Sequence, residues 1–224
     1  MKIALFIADR CEFEPLEGKA AAYHPVAGSF FGLDSLRFSA GEKEVLAIRT
    51  LIGKTAAASA AALAVAAFGP DAAINVGHSG CVCGFSKGDF VAGSSYIECD
   101  FDLSPLGKAP GEKPDTFSLT EAPEDLLAKA VKLTGGRSGA MGSGDFFLAD
   151  NAVKERYREL FGISCFDMET GAQAWTLKRL GVPYVAVRRI SDDAGEKASE
   201  KYTDSTLTLS TGLADAALAL IEVL

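Results

Sequence analysis

The sequence contains few of the residues that usually bind metals or form disulfides. Its 224 residues include only two histidines, His24 and His78, and five cysteines that form no C-x-x-C pair. An odd number of cysteines without this spacing predicts neither a disulfide framework nor a zinc site. Cys81 and Cys83 could together bind a metal, but two cysteines around one valine are more typical of a packed core. We therefore expect no bound metal.

Positive charge and long apolar runs are also scarce. The chain has 22 Lys and Arg against 30 Asp and Glu, a net charge of −8, and such an acidic surface repels a phosphate backbone. The longest uncharged stretch, residues 55–70, is shorter than the run of about 20 apolar residues that a membrane helix needs. The apolar amino terminus is interrupted by Asp9 and Arg10, too early for a signal peptide. These features predict no nucleic-acid partner, no membrane segment and a cytoplasmic protein.

What is present is an alternation of strand and helix patterns. Short apolar runs predict strands at residues 3–8, 45–48, 72–76, 90–92 and 182–187. Longer helical patterns lie at residues 56–68, 124–133, 149–160, 169–180 and 205–224. This alternation predicts an α/β fold, a three-layer sandwich in which a central mixed, largely parallel sheet is flanked by helices.

The chain is expected to form a single domain over residues 1–224. With 48% hydrophobic residues, it can bury a sizeable core. Residues 108–123 hold three prolines and several charges without periodicity, which predicts a loop or lid. Because no independent core precedes or follows this segment, we do not interpret it as a linker between domains.

Polar residues follow three of the predicted strands. Residues 9–12, 75–80 and 188–193 stand at the carboxyl ends of these strands, where open α/β sheets bind ligands. A further cluster occupies residues 143–148. Residues 167–169 precede a helix, whose amino end suits an anion, although Glu169 also fits an outward-facing residue at a helix start. The pattern predicts that these side chains face a common cleft.

Three common catalytic motifs are incomplete. The segment Gly53-Lys54-Thr55 resembles the end of a phosphate-binding loop, but position 48 is Ile48 and not glycine. The first strand is not followed by a Gly-x-Gly-x-x-Gly turn, and the chain holds no Gly-x-Ser-x-Gly motif. These differences argue against a nucleoside triphosphatase, a dinucleotide-dependent enzyme and a serine hydrolase.

Eight short motifs, taken in order, resemble one enzyme superfamily. They are Met1-Lys2-Ile3 with the acidic turn through Glu12, Ile52-Gly53-Lys54, Asn75-x-Gly77-x-x-Gly80, Lys87-Gly88-Asp89, residues 102–107, Ser143-Gly144-Asp145-x-Phe147, Asp167-Met168-Glu169, and Val182-Pro183 leading to Arg188-x-Ile190-Ser191-Asp192. Each motif is weak by itself. Their order along nearly the whole chain resembles the nucleoside phosphorylase and nucleosidase superfamily, most closely the methylthioadenosine/S-adenosylhomocysteine nucleosidases.

The resemblance implies roles for three carboxylates. Asp192 matches the acid that protonates the purine while its bond to the sugar breaks, although Asp193 is an equal candidate by spacing alone. Glu12 matches the base that activates the attacking water, whereas the pattern alone would make it a solvated loop carboxylate. Glu169 matches the residue that binds the ribose hydroxyls. Glu12 and Asp192 are therefore the expected catalytic residues.

The resemblance also implies a surface that binds the nucleoside. Phe147 is expected to stack on the purine, the Leu148 backbone to contact the edge of the base, and Met168 to pack under the sugar. Alternatively, Phe146 and Phe147 form a pair in the core. The remaining substrate-binding residues are expected at the central turn and the last strand, namely His78, Ser79, Gly80, Arg188 and Ser191.

The chain departs from the nucleosidase pattern at two positions. His78 stands where these enzymes usually carry a serine, and it could crowd the nucleophile, accept a proton, bind a polar substrate group or simply fill the turn. Asp9 stands where an apolar residue often faces the 5′ substituent. Tyr202 is the one candidate for the aromatic residue that often covers this substituent.

The resemblance implies hydrolysis of the N-glycosidic bond of a purine nucleoside, of the methylthioadenosine or S-adenosylhomocysteine type or a related 5′-modified compound. The products would be the free base and the sugar. One alternative is a purine nucleoside phosphorylase, which needs cationic residues to hold phosphate, and residues 75–84 contain no Lys or Arg. Another is a catalytically weakened protein that binds purine nucleosides. The resemblance also implies a homodimer and an enzyme without an organic cofactor.

Overall fold

A computed structural model describes residues 1–203 and 206–224. Across these residues the chain forms ten strands and seven α-helices. The strands are β1 (Lys2–Ile7), β2 (Val26–Phe30), β3 (Leu33–Ala40), β4 (Lys43–Arg49), β5 (Ala72–Cys81), β6 (Phe90–Glu98), β7 (Leu119–Glu121), β8 (Ser138–Ser143), β9 (Cys165–Asp167) and β10 (Tyr184–Asp192). The helices are α1 (Arg10–Lys19), α2 (Lys54–Ala67), α3 (Glu124–Leu133), α4 (Asn151–Phe161), α5 (Thr170–Arg179), α6 (Ala198–Thr203) and α7 (Thr206–Val223).

All ten strands belong to one mixed sheet. From β5 the sheet continues through β1, β4 and β3 to β2. On its other side, β5 pairs with both β10 and β9. Because β10 also pairs with β6, β6 with β8 and β8 with β9, these five strands close into a ring. Parallel pairs join β4, β1, β5 and β10, so their carboxyl ends lie along the same edge.

Apolar side chains on both faces of the sheet produce the three layers. In β1, Ile3, Leu5 and Ile7 pack in the cluster that includes residues of α1, α3 and α7. Ala4 and Phe6, which point the opposite way, pack in the cluster that includes residues of α2 and α5. Successive side chains of a strand point to opposite faces of the sheet, and in β1 both faces are buried. The predicted three-layer α/β sandwich is confirmed.

The boundaries differ from the prediction in several places. The last strand runs from Tyr184 to Asp192, so Asp192 belongs to the strand and not to the turn after it. Residues 119–121 of the predicted loop pair with β6 as the short strand β7. The predicted start of the last helix, Ser205, lies outside the described residues. Among the described residues, no helix is both long and apolar enough to cross a membrane.

Candidate active site

One cavity of about 190 Å³ lies at the carboxyl ends of the central strands. Ten of the eleven predicted site residues line it, which supports the common cleft expected from the strand ends. The cavity is lined by Ala8, Asp9, Glu12, Ile52, His78, Ser79, Gly80, Phe146, Phe147, Leu148, Phe166, Asp167, Met168, Glu169, Ser191, Asp192 and Tyr202. The exception is Arg188, which lies behind the wall.

Glu12 is held at the start of α1, directly after β1. Asp9 caps this helix by accepting a hydrogen bond from the Cys11 N–H at 2.9 Å, and the Asp9 N–H donates to Glu12 Oε2 at 3.3 Å. The other carboxylate oxygen, Oε1, accepts a hydrogen bond from the His78 N–H on β5 at 2.7 Å. Glu12 is therefore a buried carboxylate joined to the central strand, and the solvated alternative is wrong.

The charge of Glu12 is stabilised despite its burial. Burial alone would raise the pKa of Glu12, but contact with the His78 side chain, the charges of His78 and Arg188 and the His78 N–H together lower it. Gly77 makes this arrangement possible, because a Cβ atom there would lie 2.0 Å from Arg188 Nη1 and 3.2 Å from Glu12 Oε1. The carboxylate and the guanidinium thus share space that a larger residue would occupy.

Asp192 lies at the end of β10, beside Gly80 of the neighbouring strand β5. The Ser191 hydroxyl donates to Asp192 Oδ2 at 2.7 Å, and the Ala194 N–H donates to Oδ1 at 2.8 Å. Burial raises the pKa of Asp192, although both hydrogen bonds oppose this shift. A Cβ atom on Gly80 would lie 2.9 Å from Asp192 Oδ1, so the glycine allows the close approach of β5.

Asp193, the equal candidate by spacing, has a different environment. It does not line the cavity, and its side chain is half exposed and paired with Lys201 on α6. The hydrogen bond from Lys201 lowers the pKa of Asp193. Of the two neighbouring carboxyl groups, only Asp192 has surroundings that favour a proton.

Glu169 and Asp167 form the third acidic part of the wall. Asp167 Oδ1 accepts hydrogen bonds from the N–H groups of Glu169 and Thr170, each at 2.8 Å, and fixes the start of α5. Glu169 Oε1 accepts a hydrogen bond from the Gly53 N–H at 3.0 Å. Burial raises the pKa of Glu169 to about 7, and the charge of Arg188 opposes this shift. Glu169 faces the cavity, so the outward-facing alternative is wrong.

Arg188 is a buried counter-ion for these carboxylates. Its Nε atom lies 3.1 Å from Asp167 Oδ2, and its Nη2 atom lies 3.5 Å from Glu169 Oε2. Because the side chain is 1% exposed and does not line the cavity, direct substrate contact by Arg188 is not supported. We correct that expectation: the guanidinium orients the carboxylates that do line the cavity.

Both neighbouring phenylalanines line the cavity, but Phe146 is the more buried of the two. Phe146 packs against Phe166 with ring centroids 5.1 Å apart, in the cluster that includes residues of α4. Phe147 lines the cavity and is 45% exposed, so the alternative of a core pair is wrong. Tyr202 on α6 lies with its ring centroid 5.7 Å from Phe147 and 5.9 Å from His78. Phe147 and Tyr202 therefore form an aromatic part of the cavity wall, next to His78.

Comparison with known proteins identifies the family. Residues 2–224 match the model of the phosphorylase superfamily. The chain belongs to this superfamily. It is 32% identical, over 80% of each chain, to the 5′-methylthioadenosine/S-adenosylhomocysteine nucleosidase of Halalkalibacterium halodurans.

Solved structures of the superfamily share the whole fold. The nucleosidase from Neisseria meningitidis, in complex with methylthio-immucillin-A, matches with a TM-score of 0.92 and 26% identity, covering 100% of this chain and 99% of that one. The futalosine hydrolase of Helicobacter pylori matches with a TM-score of 0.94 and 23% identity, covering 100% of this chain and 98% of that one. At 23% identity the second likeness concerns the fold alone.

Seven of the seventeen cavity residues of this superfamily member are not among the predicted catalytic and substrate-binding residues, and three of them show why. Ile52 follows the carboxyl end of β4, so the strand-end rule applied to that strand would have found it. Asp167 belongs to the segment 167–169 that the pattern places at the cleft, but its five side-chain hydrogen bonds cannot be read from spacing. Phe166 belongs to β9, a three-residue strand that gave no pattern.

Proposed function

We propose that this chain hydrolyses the N-glycosidic bond of a 5′-modified purine nucleoside, of the methylthioadenosine or S-adenosylhomocysteine type. The observation that carries the proposal is that Glu12, Glu169 and Asp192 line one cavity although they come from three separate elements. Membership of the phosphorylase superfamily and identity with curated nucleosidases support the same reaction. The products are the free purine and the sugar.

Asp192 is the proposed acid of this reaction. A purine leaves poorly as an anion, so a proton must reach its ring nitrogen as the bond to the sugar breaks. The raised pKa of Asp192 supports this role, because a protonated carboxyl group is the form that donates. Phe147 would stack on the purine, with Leu148 at the edge of the base.

Glu169 is the proposed ligand of the ribose hydroxyls, with Met168 packed under the sugar. Its carboxylate has Oε1 bound to the Gly53 N–H and Oε2 beside Arg188, so its orientation is set before a substrate arrives. Such preorganised groups strengthen their hydrogen bonds as positive charge develops on the sugar ring. Ser79, Gly80 and Ser191 complete the proposed surface between sugar and base.

Water is the proposed nucleophile, oriented near Glu12. A phosphorylase must hold a phosphate dianion beside the sugar, which requires several cationic groups or N–H donors. Among the described residues that line the cavity there is no Lys or Arg, and five of them carry carboxylates. Arg188 is already paired with Asp167 and Glu169.

The test is to measure release of free base with and without added phosphate. The substrates are 5′-methylthioadenosine, S-adenosylhomocysteine, adenosine, inosine and a futalosine-type nucleoside. We expect free sugar as the second product and a rate independent of phosphate. A sugar 1-phosphate with a phosphate-dependent rate would support the phosphorylase instead. Tight binding without any base release would support the weakened binding protein.

A homodimer, a cytoplasmic location and a role in purine salvage are further parts of the proposal. Ile52 is 53% exposed and Phe147 45% exposed, so apolar surface surrounds part of the cavity. A second copy that covered this surface would form the two-fold contact common among soluble proteins. Light scattering at micromolar concentration measures the mass and so distinguishes a dimer from a monomer.

The five free cysteines fit a reducing compartment, which supports the proposed cytoplasmic location.

A further inference from the structure

Asp9 is the carboxylate of the cavity wall that the proposed roles leave unexplained. Five carboxylates line this cavity. Three of them, Glu12, Glu169 and Asp192, take part in the proposed reaction, and Asp167 is held by a buried arginine. Asp9 is the fifth, and it has no role in binding the base, the ribose hydroxyls or the water.

The order of the strands places Asp9 away from the base. The central strand β5 pairs in parallel with β1 on one side and with β10 on the other. Asp9 follows β1, whereas Asp192 ends β10, so these two carboxylates lie on either side of β5. If the purine binds at Asp192 and the ribose hydroxyls bind at Glu169, the part of the wall left for the 5′ substituent is the part that contains Asp9.

The carboxylate of Asp9 is fixed in place but can accept further hydrogen bonds. Its Oδ1 atom accepts the Cys11 N–H at 2.9 Å as the cap of α1, and the Cys11 thiol, a weak donor, also contacts the carboxylate. An ionised carboxylate has about four acceptor positions. Because Asp9 is only partly buried and lines the cavity, the remaining positions are open to a ligand.

The surroundings of Asp9 favour a ligand that carries positive charge. Tyr202 lies nearby on α6, where burial raises its pKa and the charges of Glu12 and Asp9 add to this shift, so its hydroxyl stays neutral. No Lys or Arg is present among the described residues of the cavity wall. A substituent that covered Asp9 would remove this carboxylate from water, and a group without a donor would leave that loss uncompensated.

We propose that Asp9 determines the 5′ specificity of this chain by accepting a hydrogen bond from a protonated amine attached to C5′ of the nucleoside. This inference rests on the proposed hydrolysis and narrows its substrate class. The sulfur of a thioether has no hydrogen to donate, so a methylthio group would leave Asp9 without a partner. An ammonium group both donates to the carboxylate and balances its charge, and such charge-assisted hydrogen bonds are the stronger kind.

The test compares two substrates of closely matched shape, 5′-methylthioadenosine and 5′-deoxy-5′-(methylamino)adenosine. They differ only in the replacement of sulfur by a secondary amine, which is protonated at pH 7. The measurement is kcat/KM for release of adenine. We expect wild type to prefer the amine by roughly 10- to 100-fold, the effect of one hydrogen bond to a charged group. Adenosine, whose 5′ hydroxyl is a neutral donor, should be a poorer substrate than the amine.

Asp9→Asn and Asp9→Ser separate this role from the capping of α1. Asparagine and serine cap helices about as well as aspartate, and the hydrogen bond from residue 9 to Glu12 comes from the backbone N–H, so both variants should keep Glu12 in place. We expect the preference for the amine to fall by about tenfold or more in both variants.

Glu14→Gln is the matched control. It removes one carboxylate from the same helix, but Glu14 is exposed, is paired with Arg10 and does not line the cavity. Because water and salt screen a charge at such a position, the preference for the amine should stay within about twofold of wild type.

Each outcome supports or overturns the inference. Equal efficiency with the amine and the thioether, a preference for the thioether, or an amine preference that both Asp9 variants retain would overturn it and leave the hydrolysis intact. Adenosine that reacts as efficiently as the amine would also overturn it, because a neutral donor would then suffice. Melting temperatures identify a variant that fails to fold, and the other variant then carries the measurement. Wild-type chain that releases no base from any nucleoside would overturn the proposed function itself, and this inference with it.

Discussion

The guanidinium of Arg188 lies 3.5 Å from the carboxylate of Glu169, and both side chains are almost completely buried. Only Glu169 of the pair lines the cavity, so the arginine acts on any bound molecule through the carboxylate that it holds. Burial nevertheless raises the pKa of Glu169 to about 7. The pair therefore combines a fixed orientation with a proton that Glu169 can gain near neutral pH.

The first prediction concerns the sugar that Glu169 binds. Glu169→Gln should narrow the preference for ribosides over 2′-deoxyribosides. In the wild-type site, a substrate that lacks the 2′-hydroxyl leaves the buried carboxylate of Glu169 without a hydrogen-bond donor. The measurement is the ratio of kcat/KM for adenosine and 2′-deoxyadenosine in each protein. An unchanged ratio would place the ribose hydroxyls away from Glu169.

The second prediction concerns stability. The pKa of Glu169 is raised from 4.5 to about 7, so the folded chain binds this proton more strongly than the unfolded chain. The resulting stabilisation is complete below pH 4.5 and is lost as pH rises to about 7. Urea unfolding of wild type and Glu169→Gln at several pH values should show that wild type loses on the order of 2 to 3 kcal/mol relative to the variant across this range.

Glu42→Gln, at an exposed turn, is the control for that measurement. Its free energy of unfolding should follow the wild-type curve at every pH. A Glu169→Gln curve parallel to wild type from pH 4.5 to 7 would mean that this carboxyl group titrates alike in the folded and unfolded chain.

The third prediction separates two neighbouring carboxyl groups. Asp192→Asn should lower the rate of base release by roughly two to four decades, the usual contribution of a positioned acid. Asp193→Asn should have a much smaller effect, because Asp193 lies outside the cavity wall and is paired with Lys201. Steady-state kinetics of the two variants decide between them. Equal losses, or a greater loss in Asp193→Asn, would show that the acid is assigned to the wrong residue.

The fourth prediction concerns Gly77. A Cβ atom there would meet Arg188 Nη1 at 2.0 Å, so Gly77→Ala must displace a buried guanidinium. We expect a loss of at least about 2 kcal/mol in the free energy of unfolding, together with loss of activity. Gly28→Ala is the control, since its Cβ atom would lie 3.9 Å from the nearest side chain. Equal melting temperatures for the two variants would contradict this account of the site.

The long apolar strands could be predicted from the sequence, whereas the closure of the sheet could not. Strand β1 is a nearly continuous run of buried apolar residues, and the first half of β5 is another that only Asn75 interrupts, so local patterns detect both. The strand β8 reads Ser-Gly-Ala-Met-Gly-Ser, and β9 has three residues, so neither carries a strand pattern. Both belong to the ring, whose pairings join segments that are distant along the chain.

In the site, too, some features could be predicted from the sequence and others could not. The clustering of Glu12, His78 and Asp192 followed from the rule that ligands bind at strand ends. The difference between Asp192 and Asp193 depends on which side chain the strand turns inward, and the position of Arg188 depends on space left by Gly77. Such details come from packing between elements, which spacing along one chain does not encode.

The pairing of β5 with β10 also limits when the sheet can finish folding during synthesis of the chain. The paired residues Ala73 and Tyr184 are separated by about half of the sequence, so β5 stays without this neighbour until β10 has been made. Long-range pairing of this kind slows folding and leaves an apolar strand edge uncovered in the growing chain. A nascent chain that stops before β10 lacks Asp192 and the strand that closes the ring, so we expect such fragments to need chaperones and to be inactive.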